Sequence, residues 1–499
     1  MAIRTREHLI TRLPTLKPQL NATPNPFSLL RALTLHQWLF FLVSHVPPLL
    51  LYALAFANQS INKVGFLAWT WDAFDFHTVT LTYPELANTF NKKPSEISVA
   101  VTLVLMFRPL GAAIFGLLSD RYGRKWPFVA NCILLIIFEL ATGFCNDYRQ
   151  FLAVRAMFGI AMGGIYGNAA ATALEDCPEE ARGLMSGVYQ NGYPFGYLLA
   201  TVFWKAFDDK TPHGWRPLFW FGAGPPVLLI IFRLCLPETD AYNKRHNSRN
   251  ETGTARGAVA EVKMAVRMYW QRLIYLVLFM AGFNYMSHGT QDIVALMLKN
   301  KYDFSATKIT RVIVTANVGA ITGGAIVGYC SQIFGRRLSI IVMCVLGGAL
   351  LYPYTSTSGP GIYAAFFFLQ FFVHGAWGIV PIHLIELSPA AFRTFVVGTS
   401  YQLGNLISAA SNTIETTLGE RYPLPDKIVD GEVVHVYDYS VVMRIFTACV
   451  FVYVIFITFL GPEELGRSMI EDDEDESSED GEHNTMPLQN GDEFGNNWA

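Results

Sequence analysis

Gly116–Lys125 reads GLLSDRYGRK, and at the corresponding place in the second half of the chain Gly328–Arg337 reads GYCSQIFGRR. Each stretch lies between two apolar runs and centres a tight turn on glycine, flanked by charges. Two further pairs keep the same register. Glu175, Pro178, Arg182 and Gly187 recur at the same offsets as Glu386, Pro389, Arg393 and Gly398, and LPET (Leu236–Thr239) is answered by GPEE (Gly461–Glu464). Three matched pairs predict a duplicated unit. Their charges are Asp120, Arg121, Arg124, Glu175 and Arg182 in the first half, and Arg336, Arg337, Glu386 and Arg393 in the second. They are predicted to latch helix ends and so gate the molecule, rather than to touch a solute. Gln332 stands where Asp120 stands in the first copy, so the second latch is expected to be weaker.

Outward from these loops, apolar runs are predicted near 97–118, 126–145, 151–173, 184–203, 217–236, 273–298, 309–329, 338–355, 361–384, 395–414 and 440–461, with one more inside Gln37–Leu81. Each is close to the ~20 residues a helix needs to cross a bilayer. The 499 residues are 52% hydrophobic and 15% charged, which places the chain among polytopic membrane proteins. The predicted fold class is all-α, with twelve transmembrane helices as two six-helix halves around a central cavity. The predicted organisation is a tail (1–36), a first bundle (37–236), a loop (237–272), a second bundle (273–461) and a disordered acidic tail (462–499). Glu471–Glu482 carries nine acids, and subtracting them from the 40 acids leaves 31 against 37 Lys and Arg. The N-terminal tail, the signature loops and 237–272 concentrate bases on one face, while the opposite loops are less basic though they carry Lys92, Lys93, Lys299 and Lys301, so the positive-inside rule predicts that the first face and both termini are cytosolic. Seven cysteines without CxxC spacing read as packing residues. No metal spacing, His box, nucleophile elbow or cofactor loop occurs, so no metal, cofactor or enzyme activity is expected. The bilayer is an expected partner, nucleic acid is not, and ubiquitin or endocytic machinery is an expected partner of the tails.

Val43–Lys63 (VSHVPPLLLYALAFANQSINK) interrupts what is otherwise one helix, QWLFFL followed by VGFLAWTWDAFDF. Pro47–Pro48 would kink it, and keeping it spoils the parity that the loop charges require. It reads either as a retained intron or as a true insertion forming a re-entrant hairpin.

Ionisable residues inside spans cost about 2.5–3.5 kcal/mol each on insertion scales, so they mark cavities or partners. Asn284–Leu296 (NYMSHGTQDIVAL) places Asn284, His288, Gln291 and Asp292 at helical offsets on one stripe. His288 and Asp292 can hold and exchange a proton, and the amides can bond a polar solute. Asp72 and Asp75 in WTWDAFDF are i, i+3, and read equally as a proton-sharing pair or as one acid locked to an arginine. Arg108, two turns before Gly116, suits bidentate contact with a carboxylate. Arg155 in RAMFG reads as a coupling residue, and for either arginine the alternative is a buried pair with an acid such as Asp72, Asp75 or Glu139. QNGYPFGY (Gln190–Tyr197) is polar and aromatic, and Gln402 and Asn405 in TSYQLGNLIS share a face as solute contacts or as interhelical glue.

The GxxxDRxGR loop and RAMFG resemble signatures of the major facilitator superfamily. Asn284–Leu296 resembles the N-x-x-[S/T]-H-x-[S/T]-Q-D-x-x-x-T signature of fungal Jen-type carboxylate permeases, in the sialate/lactate:proton symporter branch. Six positions match, and Leu296 replaces the final Thr. The resemblance covers about 36–464 apart from Val43–Lys63. It implies proton-coupled symport of lactate and pyruvate, or of succinate and malate, at the fungal plasma membrane. It also implies that Arg108, His288, Asp292, Gln402 and Asn405 line or couple the path, with Phe195 beside them. A sugar or polyol transporter of the same superfamily is the first alternative, since LPET resembles that branch too. A non-transporting nutrient sensor is the second.

Overall fold

The computed structural model describes residues 61–467, apart from 93, 175–176, 178–180, 208–212, 239–241, 244–257, 390–391, 426, 430–431 and 435–436. Among them, twelve helical rods form two six-rod halves. In the first half the rods are α1 (Ile61–Leu81), then α3 (Pro94–Tyr122) after the short α2 (Tyr83–Phe90), then α4 (Lys125–Gly143). The fourth, fifth and sixth are each broken in two: α5–α6 (Tyr148–Gly163, Ile165–Leu174), α7–α8 (Arg182–Gln190, Gly192–Phe207) and α9–α10 (Arg216–Gly222, Pro225–Cys235). In the second half they are α11–α12 (Ala258–Gln291, Val294–Tyr302), α13 (Ala306–Phe334), α14 (Arg336–Ser356), α15 (Gly361–Leu387), α16–α17 (Arg393–Ser408, Ser411–Gly419) and α18 (Tyr439–Leu460). Large apolar side chains stay exposed along the outer faces, among them Met106, Leu110 and Ile114 on α3 and Val452 and Phe456 on α18. Hydrocarbon is their natural solvent, and helices satisfy their own backbone there.

The duplicated loops have one architecture. Gly123 (φ 95°) and Gly335 (φ 91°) both take a backbone conformation that a side chain would strain. After each glycine a new helix begins, and its first N–H groups need acceptors. Glu238 of LPET supplies one, accepting from Lys125 N at 2.9 Å, and Glu463 of GPEE does the same for Arg336 N at 2.5 Å. Lys125 Nζ then holds the carbonyls of Leu234 (2.8 Å) and Leu236 (2.9 Å), as Arg337 Nε holds that of Thr458 (3.0 Å). Each half therefore closes its third rod onto the end of its sixth with the same three parts.

Three boundaries depart from expectation. The stretch 237–272 is not all loop, because α11 starts at Ala258 and bends at Tyr269 (φ −109°, ψ 15°). Its first turns, AVAEVKMAVRM, consist mostly of good helix formers. The chain is not wholly helical either: Lys427–Val429 (β1) and Glu432–Val434 (β2) form an antiparallel hairpin between α17 and α18. Ile61–Lys63 form the first turn of α1, while 43–60, the remainder of the Val43–Lys63 stretch, lie outside the described residues, as do the first tail and 468–499 of the second.

The halves meet most closely toward the face that carries the signature loops, called the basic face below. A Cβ at Gly116 would lie 2.8 Å from Phe395 Cα, and one at Gly167 would lie 2.6 Å from Thr394 O. On the other flank Gly183 and Gly187 press their backbones against Gly328 and Gly324. Small residues are what allow helices to approach this closely.

Candidate functional site

Above that seam, at mid-depth between the halves, lies a cavity whose empty space, counted with its opening to solvent, is about 440 Å³. The first half contributes Phe76, Leu105, Arg108, Gln190 and Tyr193, and the second Asn284, Ser287, His288, His374, Trp377, Tyr401 and Asn405. Its floor is aromatic. Tyr401 stacks on Tyr166 across the halves at 3.9 Å between ring centres, and Trp69 packs against both at 5.6 and 4.8 Å. With the glycine seam beneath it, this floor closes the cavity toward the basic face.

Arg108 sits in the wall, with its guanidinium 5.3 Å from the centre of the Phe76 ring and one Nη against the Met162 sulfur. Asp72 lies behind it at 3.6 Å, a distance for charge attraction but not for a hydrogen bond. Arg108 Nε has no hydrogen-bond partner among the described residues. That nitrogen is itself buried, but Arg108 lines the cavity, and a guanidinium has five N–H donors in all, so its outer nitrogens can be turned to an anion there. Higher up, His288 Nδ1 and Asp292 Oδ2 are 2.9 Å apart, and Asp292 is one-third exposed (33%). Asn284 Nδ2 donates to Met280 O, and Asn405 Nδ2 donates to Gln402 Oε1 at 2.9 Å.

The structure separates residues that the sequence grouped. Asn284 and His288 reach the cavity, but the helix breaks at Asp292–Ile293 and Gln291 turns away. It donates to Gln370 Oε1 at 3.1 Å in a second chamber of about 350 Å³ lined by Thr290, Asn317 and Tyr354. Gln402 is fully buried behind Asn405 rather than in the cavity wall. Phe195 packs on Phe66 at 6.2 Å, and from the same QNGYPFGY stretch Gln190 and Tyr193 face the cavity instead. Asp75 does not join Asp72 at Arg108. It lies against Gly222 beside Glu139, whose carboxylate pairs with Arg155 at 3.0 Å, away from the cavity. Tyr166, Tyr401 and Trp69 were not singled out, because aromatic residues in apolar runs read as packing.

Among the latch residues, Asp120 bridges the halves. It takes Arg124 at 2.7 Å and accepts the N–H groups of Thr394 and Phe395 at the start of α16. A carboxylate there is favoured by the helix dipole. Gln332 occupies the equivalent corner, accepting from Arg336 at 2.8 Å, and Glu386 supplies the carboxylate at 3.0 Å. Arg182 donates to Arg467 O at 2.9 Å, and Arg393 is buried at the start of α16. Arg121 stands outside this network: it is exposed, with its guanidinium over Tyr122. Glu175 lies outside the described residues. No cluster of His, Cys, Asp and Glu suited to a metal occurs among the described residues.

Two membrane-spanning bundles closed over a polar mid-depth cavity define a transporter, not an enzyme. The Major Facilitator Superfamily model matches residues 64–412. The carboxylic acid transporter protein homolog of Saccharomyces cerevisiae is 38% identical over 473 residues, covering 91% of this chain and 76% of its own. The cis,cis-muconate transport protein of Acinetobacter baylyi is 22% identical, over 71% of this chain and 88% of its own. Among solved structures, the proton:xylose symporter XylE, bound to 6-bromo-6-deoxy-D-glucose, superposes with a TM-score of 0.64 at 18% identity, covering 83% of this chain and 97% of that one. At that identity it speaks for the fold alone. The chain belongs to the Major Facilitator Superfamily and, within it, to the Jen-type family whose signature runs from the end of α11 across the break into α12.

Proposed function

We propose that this chain carries short-chain carboxylates, lactate and pyruvate and in some measure succinate and malate, together with a proton across the plasma membrane, with its basic face and both termini in the cytosol. The observation that carries this reading is one cavity lined by both Arg108 and His288, with Asp292 paired to His288 just beyond it. The carboxylate of the solute lies against Arg108, and Gln190, Asn284 and Asn405 bond its carbonyl or hydroxyl oxygens. A solute anion beside a buried guanidinium replaces water with preorganised donors. The proton enters at the exposed Asp292 and is held with His288. With both loaded, the halves rock, the Tyr166–Tyr401 floor parts and the glycine seam opens. One proton with each monocarboxylate makes the cycle electroneutral.

The test is uptake of labelled lactate at pH 5 by yeast lacking its own carboxylate carriers. Pyruvate is expected to compete and glucose is not, and Asp292→Asn is expected to remove the dependence on external pH while uptake at a single pH persists. Competition by glucose alone would transfer the chain to sugars or polyols. A protein at the surface that takes up neither lactate nor succinate would make it a sensor.

A further inference from the structure

Glu415 lies on α17, the outer continuation of the eleventh rod. Its side chain is fully buried, and neither carboxyl oxygen meets a hydrogen-bond donor among the described residues. An ionised carboxyl in that position is strongly unfavourable, whereas the protonated acid is tolerated. α17 packs against α11, which ends at the break that carries Asp292, and the charge of Asp292 and the hydroxyl of Tyr354 on α14 are the titratable groups of other elements that interact with Glu415. The Tyr354 hydroxyl is engaged with Thr290 O at 2.6 Å. The cations at this end of the second half are engaged with other groups: Arg444 donates to Ser356 Oγ and lies over Tyr352, and Lys301 pairs with Asp438 at 3.3 Å. On its own rod Glu415 ends a polar ladder that starts in the cavity wall. Asn405 bonds Gln402, Ser408 Oγ donates to Asn405 O at 3.1 Å, Ser411 Oγ donates to Ser408 O at 2.5 Å, and Glu415 follows one turn beyond.

An exposed carboxyl and a buried one in a common field cannot both be charged cheaply, and together they bind a proton as a unit. We propose that Glu415 is the buried store for the transported proton and Asp292 its exposed port. A proton from outside water binds Asp292 Oδ, then passes to the Glu415 carboxylate. Asp292 is thereby restored as a carboxylate paired with His288, and Glu415 becomes a neutral acid. The fully buried Glu415 seen here corresponds to the loaded state. On the opposite opening the proton returns through Asp292 to cytosolic water.

This assignment rests on the symport reading, and the experiment separates the two. Parent, Glu415→Gln and Glu415→Asp are compared in the carrier-less yeast for surface level, for lactate exchange at equal pH, and for accumulation in an acid-outside gradient. One-for-one coupling accumulates solute about tenfold per pH unit. Glu415→Gln, permanently neutral, is expected to keep exchange and lose that accumulation. Glu415→Asp is expected to keep accumulation with a displaced pH profile. Accumulation by Glu415→Gln equal to that of the parent overturns the assignment and leaves symport standing. Should Glu415→Gln not reach the surface, an unshifted Glu415→Asp profile overturns it instead. Parent accumulation that a protonophore does not discharge overturns the symport reading, and this inference with it.

Discussion

The Arg108 guanidinium lines the cavity with Asp72 at 3.6 Å, close enough to attract its charge but too distant to accept its hydrogen bonds, so donors remain for an anion that enters. A lysine would keep the charge and lose the planar fork. Arg108→Lys is expected to raise the KM for lactate by at least about tenfold, equivalent to ~1.4 kcal/mol of binding, with the protein still at the surface. Unchanged uptake would remove Arg108 from the solute site. At this scale the sequence was informative wherever one residue type admits one use: an arginine at mid-depth, or a His and an Asp one turn apart. It misled where side-chain direction decides. Asp72 and Asp75 share a face by spacing, yet the 60° between them on a helix sends one toward Arg108 and the other toward Glu139. Glu415 carried no signal, because SNTIETTLG resembles the polar end of any span.

At the scale of elements, the glycine seam controls which face is closed. A valine at 116 would meet the Phe395 backbone, and overpacking of this kind costs about 1–3 kcal/mol. That is enough to shift a two-state equilibrium away from the form closed on the basic side. Gly116→Val is expected to reach the surface, to lose most uptake, and to make a cysteine placed in the floor more reactive from the cytosolic side. Normal uptake would show that the seam does not gate. On the opposite face Lys301 bonds Ser440 Oγ and Thr355 O and pairs with Asp438, joining the ends of α12, α14 and α18. Burial pushes the Asp438 carboxyl up, but hydrogen bonds from Ser440 and the charge of Lys301 outweigh it and hold it below the usual carboxylate range. A lowered carboxyl contributes stability that is complete above its unfolded value, near ~3.9, and is lost only as pH falls through the lower folded one. Asp438→Ala is therefore expected to lower the thermal midpoint equally at pH 5 and pH 7, by the ~1 kcal/mol of a lost helix cap. A loss confined to pH 7 would contradict the intact pair in acid. The repeated loops were legible as a duplication, but not that Glu238 and Glu463 cap the helices after Gly123 and Gly335, because a cap is a contact between segments far apart in the chain. The break at Asp292–Ile293 was likewise hidden, since an apolar run looks the same with or without an interruption.

At the scale of the molecule, twelve apolar runs, a repeat in register and one-sided basic loops left little freedom, and the two-bundle fold was legible for that reason. The cavity was only half legible, since its floor of Tyr166, Tyr401 and Trp69 is built from residues that serve equally as packing. The form seen here is closed toward the basic face, with Asp292 exposed beyond the cavity, as expected of a carrier ready to load from the opposite side. In the proposed cycle carboxylate and proton move together through this cavity. The purified chain in vesicles, with an imposed acid-outside gradient and labelled lactate, tests it most directly against protein-free vesicles and vesicles holding Arg108→Gln. Accumulation above both controls that collapses on adding a protonophore is expected. Accumulation no greater than in the protein-free vesicles, or undisturbed by the protonophore, would contradict it.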